Sequence, residues 1–334
     1  MQLTSVCVLG AGSWGTALAH LIAENGYSVS LWDKNPTRIE SLKRTGRNER
    51  YLPGLALSRN IRCERDLDRS LLGKDLVLLA VPSHGFKTCL QSLKYRLPGG
   101  ANVAWGTKGL DPESGRLLHE VAREVLGGDC LLAALSGPTF AREVIRGLPT
   151  AITVASPQEP YAAAVAELLH NEFFRVYTSD DLPGVQLGGA VKNVLAIAAG
   201  VSDGMGFGAN ARAALITRGL AEMMRLGEVM GAKARTLMGL AGVGDLILTC
   251  TDDQSRNRRL GIGLGQGKTV DALKAEIGQE IEGIVTARLI HGLARRLKVE
   301  MPIVEQVYAV LYDGKPAAEA VRSLLLRDRK PEAF

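Results

Sequence analysis

Short apolar runs alternate with amphipathic stretches through the first half of the chain, whereas the second half carries long apolar-striped stretches and almost no such runs. "LTSVCVLG" has the apolar density of a buried strand. A helical pattern follows over Ser13–Glu24 and stops at Asn25-Gly26, a favourable helix C-terminus. "SVSLW" predicts a second strand, and Pro36 opens a second helix. "DLVLLAVP" is a third strand, ended by Pro82. "ANVAWG", "LLAALSG", "TAITVAS" and "FFRVYTS" predict further strands, with helical patterns between most of them. Alternating strand and helix predicts an α/β fold, a mainly parallel sheet with helices on both faces.

The pattern changes near Thr178, where "TSDDLPG" signals a loop. Helical periodicity follows over Val185–Val201, Asn210–Met230, Lys233–Leu240, a stretch after Ser255, and several more segments. These features predict a boundary at about 178–184. The expected domains are 1–180, a Rossmann-type dinucleotide-binding domain, and 181–334, an all-helical domain carrying substrate and catalytic groups.

Composition narrows the classes of function. Hydrophobic residues make up 46% of the 334 and charged residues 22%, the usual balance of a globular protein. No apolar run reaches 18 residues, and the opening stretch enters a strand without a basic leader region. Neither stable membrane insertion nor a secretory signal is expected. Five cysteines, scattered and without CxxC, argue against a disulfide framework or a metal site and predict a cytoplasmic location. The net charge of +5 suits either solubility or attraction of anionic ligands. Nucleic acid is not an expected partner, because the basic residues are dispersed and aromatics are only 5%.

"VLGAGSWGTALA" places Gly10, Gly12 and Gly15 in GxGxxG spacing between a strand and a helix. Gly10 permits the tight turn, Gly12 lets backbone approach a pyrophosphate, and Gly15 allows helix to pack on sheet. After the second strand, Asp33 is placed to accept from adenosine ribose hydroxyls and Lys34 to pair with a 2′-phosphate, or the two are solvated loop charges. The choice between NAD and NADP stays open. "GLGQGKT" (Gly263–Thr269) resembles a phosphate loop, but Ile262 stands where the first glycine should be, and it reads as a loop between helices.

Three polar stretches suit an anionic ligand. Lys108 in "WGTKGL" lies just past a strand, where open α/β sheets bind ligands, or it faces solvent. In "LSGPTFAREV", Gly137 permits close backbone approach, and Thr139 either caps a helix or bonds a ligand. In "DDQSRNRRLG", Ser255 can cap a helix whose first turn holds Arg256, Asn257 and Arg258, which together with free N–H groups form a phosphate site. The alternative is a solvated basic helix start, for which Arg258 and Arg259 are candidates. "GVGDL" puts Asp245 in a Gly-rich turn, either anchoring a lysine or a substrate hydroxyl, or closing an Asx turn. In "GGAVKNVLAIAAG", Lys192 is offset from the apolar stripe, with Gly188, Gly189, Ala196 and Ala199 one turn away. A face so free of bulk fits either a ligand-facing lysine or a surface lysine over a close helix contact.

Taken in order, "VLGAGSWGTALA", "LWDKNP", "NERYLPG", "AVPSH", "WGTKGL", "LSGPTFA", "GAVKNVLAIAAG", "GVGDLILTCT", "SRNRRLG", "EIEGI" and "MPI" run almost end to end. With this set the chain resembles the bacterial-type NAD(P)-dependent sn-glycerol-3-phosphate dehydrogenases. The resemblance implies reversible reduction of dihydroxyacetone phosphate by NAD(P)H, supplying sn-glycerol 3-phosphate for phospholipid synthesis. It implies Lys192 as the proton-transfer residue. Substrate contacts fall on Lys108, Gly137, Thr139, Lys192, Asp245, Ser255, Arg256 and Asn257. Cofactor contacts fall on Ser13, Trp14, Lys34, Lys108, Ala141, Arg256, Glu280 and Glu282, beside Gly10, Gly12 and Gly15. The expected partner is a small phosphorylated substrate, and a homodimer is compatible with the class.

Overall fold

The computed structural model describes residues 1–97 and 102–328, and divides into two compact units. One contains Met1–Asp111 and Leu118–Leu182, the other Pro112–Leu117 and the chain from Pro183 onward. Ala101 of the "ANVAWG" stretch and the chain after Asp328 lie outside the described residues.

The first unit runs β1 (Ser5–Leu9), α1 (Ser13–Glu24), β2 (Ser28–Trp32), α2 (Pro36–Thr45), β3 (Ile61–Glu64), α3 (Leu67–Leu71), β4 (Leu76–Leu79) and α4 (Ser83–Leu93). It continues with β5 (Asn102–Trp105), α5 (Leu118–Leu126), β6 (Leu131–Ser136), α6 (Ala141–Val144), β7 (Thr150–Ala155), α7 (Glu159–Leu169) and β8 (Phe174–Ser179). The strands form one sheet in the order β3-β2-β1-β4-β5-β6-β7-β8, with every pairing parallel except β6 with β7. β1 and β4 read as continuous apolar runs because helices cover both faces, and Val6, Val8, Leu76 and Leu78 are buried. The sequence pattern lacks β3. Its residues Ile61, Arg62, Cys63 and Glu64 alternate apolar and charged on an edge strand, too short and polar to stand out.

The order reverses direction between β1 and β4, the switch point at which doubly wound sheets open a crevice beyond their carboxyl ends. Leu9 aligns with both Trp32 and Leu79, so the turn after β1, the turn after β2 and Ala80 after β4 emerge at one edge.

The second unit is helical: α8 (Leu182–Gly204), α9 (Ala209–Val229), α10 (Ala234–Leu237), a π-helical turn over Leu240–Gly244, α11 (Asp245–Thr251) and α12 (Arg256–Gly265). Then come α13 (Val270–Ile277), α14 (Glu282–Leu297), α15 (Pro302–Tyr312) and α16 (Ala317–Leu325). α8 begins three residues earlier than its periodicity predicts, because Pro183 sits in the first turn, where no backbone N–H is needed. "GLGQGKT" is only partly a loop: Gly263 to Gly265 close α12, and Thr269 caps α13 by accepting from the Ala272 N–H.

α8 is 23 residues long and apolar enough to cross a bilayer, yet its apolar window is wholly buried, as in a core helix. Its glycines are contact points. A Cβ at Gly200 would strike the Arg258 carbonyl, one at Gly204 the Ile262 carbonyl, and one at Gly261 of α12 the Ile197 carbonyl. α8 and α12 therefore meet backbone to backbone.

Candidate active site

In the first unit, the turn after β1 is shaped for close approach. Gly10 has φ +106°, and a Cβ there would lie 2.7 Å from the Ala80 carbonyl oxygen. A Cβ at Gly15 would collide with the Gly10 carbonyl and Ala80. At Gly12 the same probe meets nothing within 4 Å, so that side of the turn is clear. α1 starts at Ser13 with Gly12 as N-cap and no side-chain cap, and its first backbone bond in this turn runs from the Thr16 N–H to the Gly12 C=O. The N–H groups ahead of Thr16 have no intrahelical acceptor and make up the positive end of the helix dipole. Trp14 Nε1 is buried without a partner among the described residues. A tight turn, a clear approach, uncapped donors and an orphaned indole N–H fit a dinucleotide pyrophosphate.

Asp33 departs from the expected ribose contact. Its Oδ2 accepts from the Ala11 N–H at 2.7 Å and from Arg38 Nη1 at 2.7 Å, and its Oδ1 accepts from the Asn35 N–H at 2.9 Å. The carboxylate is 6% exposed and committed to the protein itself. Arg38 also donates to the Tyr51 hydroxyl at 3.1 Å. Lys34, next to Asp33, is exposed.

Further along the same edge, Lys108 Nζ donates to the Gly137 carbonyl at 3.3 Å, and the Thr139 hydroxyl donates to that carbonyl at 3.2 Å. Thr139 is therefore not a helix cap: α6 has Phe140 as N-cap, without a side-chain bond. Gly137 has no room for a side chain, since a Cβ would stand 3.0 Å from Ile152 Cα. Ala141 opens α6 against the apolar core.

In the second unit, Lys192 is 6% exposed and Asp245 fully buried, which excludes the surface-lysine reading. Lys192 Nζ donates to Asp245 Oδ1 in a short ion pair, and to the Thr249 hydroxyl at 2.9 Å. The Thr249 hydroxyl itself donates to the Asp245 backbone carbonyl at 2.6 Å, which turns its lone pairs toward the lysine. Burying an ammonium beside a paired carboxylate and hydroxyl offsets the desolvation that either charge alone would suffer. Asp245 does not close an Asx turn. It begins α11 directly after the π-helical turn, and that turn fits because a Cβ at Gly188 would collide with the Ala241 carbonyl. The small residues around Lys192 thus admit backbone, and the backbone they admit delivers its counter-ion.

Ser255 caps α12, its hydroxyl accepting from the Arg258 N–H at 3.2 Å. Nothing among the described residues pairs with the Arg256 guanidinium in the first turn. Asn257 is buried and largely engaged: Nδ2 donates to Asn193 Oδ1 at 2.9 Å, and Oδ1 accepts from the Gly283 N–H at 2.9 Å. One amide N–H remains for a ligand. This bond brings in the start of α14, where Glu282 is the first residue, while Glu280 just before it is exposed. Of the two arginines assigned to a solvated helix start, only Arg259 is exposed. Arg258 is buried, paired with Asp203 at 2.6 Å and with Asp253, and donates to the Cys250 carbonyl at 3.0 Å.

Sequence reasoning missed Thr249 and Asn193, and it did not foresee that Arg258 is buried. Thr249 had a signal, because it lies four residues after Asp245 and so shares its helix face. Asn193 meets Asn257 across 64 residues, a pairing with no local trace.

Residues 5–162 match the family model for the N-terminus of NAD-dependent glycerol-3-phosphate dehydrogenase, and residues 181–322 match the model for its C-terminus. The chain belongs to the NAD-dependent glycerol-3-phosphate dehydrogenase family. Glycerol-3-phosphate dehydrogenase (NAD(P)+) of Methylococcus capsulatus is 58% identical over 328 residues, covering 98% of each chain. The enzyme of the same name from Shewanella halifaxensis is 54% identical, covering 98% of this chain and 97% of its own. A crystal structure of glycerol-3-phosphate dehydrogenase from Coxiella burnetii superposes with a TM-score of 0.94 at 46% identity, covering 97% of this chain and 99% of the other. In the terms of this glycerol-3-phosphate dehydrogenase family, the turn after β1 belongs to the N-terminal match, and the Lys192–Asp245–Thr249 cluster to the C-terminal one.

Proposed function

We propose that the protein interconverts dihydroxyacetone phosphate and sn-glycerol 3-phosphate with NAD(P)H, and that Lys192 is the proton donor and acceptor. The observation that carries this reading is a buried lysine held by Asp245 and Thr249 in a chain of this family. In the first unit, the residues that would hold the dinucleotide are Gly10, Gly12, Ser13, Trp14, Gly15, Lys34, Lys108 and Ala141. When bound, the nicotinamide supplies the hydride for C2. Lys192 Nζ carries the proton, offsets the charge that develops on the C2 oxygen and delivers the proton to it. In the reverse direction Lys192 Nζ removes the C2 hydroxyl proton. Asp245 and Thr249 fix the direction of the ammonium. Ser255, Arg256 and Asn257 at the start of α12 would hold the substrate phosphate and so orient C2.

The product would feed phospholipid synthesis. With five free cysteines, we assign the enzyme to the cytoplasm, and we expect a homodimer, which light scattering after gel filtration would test. The decisive assay follows NAD(P)H oxidation with dihydroxyacetone phosphate and with dihydroxyacetone, for wild type and Lys192→Ala. The phosphorylated substrate should far outperform its analogue, and Lys192→Ala should cost at least about 100-fold in turnover. No phosphate preference, or full activity in the variant, overturns the proposal.

A further inference from the structure

The turn that would receive the pyrophosphate is held from behind by a segment outside the GxGxxG motif. Ala11 sits at its centre, and its backbone N–H and carbonyl, which belong to successive peptide groups, are both taken by side chains. Its N–H donates to Asp33 Oδ2 at 2.7 Å, and its carbonyl accepts from Asn48 Nδ2 at 3.1 Å. Asn48 Nδ2 also donates to the hydroxyl of Thr16, in the first turns of α1, at 2.8 Å. Asn48 is 3% exposed and Thr16 fully buried, so these bonds form away from water. One amide group thus ties the turn to the helix it feeds.

The segment carrying Asn48 is itself anchored. The Leu52 N–H donates to the Asn48 carbonyl at 2.7 Å, the Leu57 N–H donates to the Gly46 carbonyl at 2.9 Å, and Leu52 is buried in the core. With these groups taken, neither peptide flanking the Ala11 Cα can rotate without losing a buried bond. The outward side of the turn, clear at Gly12, keeps its N–H groups for an anion.

We propose that Asn48 is a positioning residue for dinucleotide binding: it presets the Ala11–Gly12 peptide and the start of α1 in the geometry that takes a pyrophosphate. The inference rests on the dinucleotide reading given under Proposed function. Asn48 acts on the part common to both cofactors, so its loss weakens NADH and NADPH alike.

The test uses Asn48→Asp, which keeps the shape and removes both donors. Fluorescence titration should show Kd for NADH and NADPH rising together by about tenfold. Hydrogen exchange of the backbone over Gly10–Thr16 should quicken in the ligand-free protein. KM for dihydroxyacetone phosphate at saturating cofactor should stay at its wild-type value. A folded Asn48→Asp protein with wild-type Kd and wild-type exchange overturns the proposal, as does an effect confined to one cofactor. If Asn48→Asp does not fold, Thr16→Val removes one acceptor while leaving Asn48 in place. It should raise both Kd values in the same proportion, and wild-type values there also overturn the proposal. A wild-type protein that binds neither dinucleotide removes the functional reading itself, and the Asn48 proposal with it.

Discussion

Replacing Lys192 and Asp245 singly and together separates what the pair does for stability from what it does for the reaction. Lys192 is 6% exposed and Asp245 is 0% exposed, so either single replacement leaves a buried charge without its partner. Breaking such a pair costs about 3–5 kcal/mol, whereas replacing both members by apolar groups of similar size is often close to neutral. Lys192→Met and Asp245→Leu should therefore each lower unfolding free energy by about that amount, and the double variant should recover most of it. Activity should follow another rule. Lys192→Met removes the proposed proton carrier and should cost roughly 10²–10⁴ in turnover, about 3–5 kcal/mol of barrier, and the double variant should be equally inactive. Asp245→Asn is the informative intermediate. The buried lysine keeps its amine but loses the charge that favours protonation, so the reduction rate should peak at lower pH than in wild type. Urea denaturation and initial rates across pH measure both sides. A double variant no more stable than the singles refutes the electrostatic account. An unmoved pH profile in Asp245→Asn refutes the role of Asp245 in holding the proton.

Three further outcomes are expected. Gly188→Ala places a methyl group against the Ala241 carbonyl and should destabilise by about 1–3 kcal/mol, while lowering turnover because the displaced turn carries Asp245; thermal denaturation and rate assays measure both. Arg258→Ala leaves Asp203 with Arg212 as its remaining ion pair and should cost about 3 kcal/mol in urea unfolding, with a raised KM for dihydroxyacetone phosphate because Arg258 braces the turn that holds Arg256. Burial raises the carboxyl of Glu222 from 4.5 to about 7, against the N–H groups of Ile303 and Val304 that it accepts from. A carboxyl whose folded value lies above its unfolded value favours folding when protonated. Stability should therefore fall by about 3 kcal/mol as pH rises from 4.5 to 7, a slope that Glu222→Gln should flatten in pH-dependent melting.

The chain displays some of this architecture openly and conceals the rest for physical reasons. Strands covered on both faces, such as "LVLL" in β4, must be apolar throughout and stand out for that reason. The GxGxxG turn is legible because Gly10 and Gly15 answer steric demands that only glycine meets. The edge strand β3 hides behind its charges. The lysine was visible, but its burial was not, because the groups that bury it come from α11 and from a π-helical turn without a periodic signature. Asp33 shows the opposite case: its position suggested a ligand contact, yet neighbouring donors from Ala11, Asn35 and Arg38 claim it first. Local spacing identifies which residues can do chemistry. Long-range packing decides which of them have hydrogen-bonding capacity left.

The glycine contacts between α8 and α12 carry a consequence for substrate length. Lys192 stands on one of these helices, and Ser255, Arg256 and Asn257 stand at the start of the other. Because the two meet through backbone atoms rather than through side chains that change rotamer, the span from the proposed proton carrier to the proposed phosphate anchor is held by main-chain contact. If the two ends act as proposed, a homologue with one more carbon between carbonyl and phosphate should turn over more slowly than the three-carbon phosphate, even where it fits by charge.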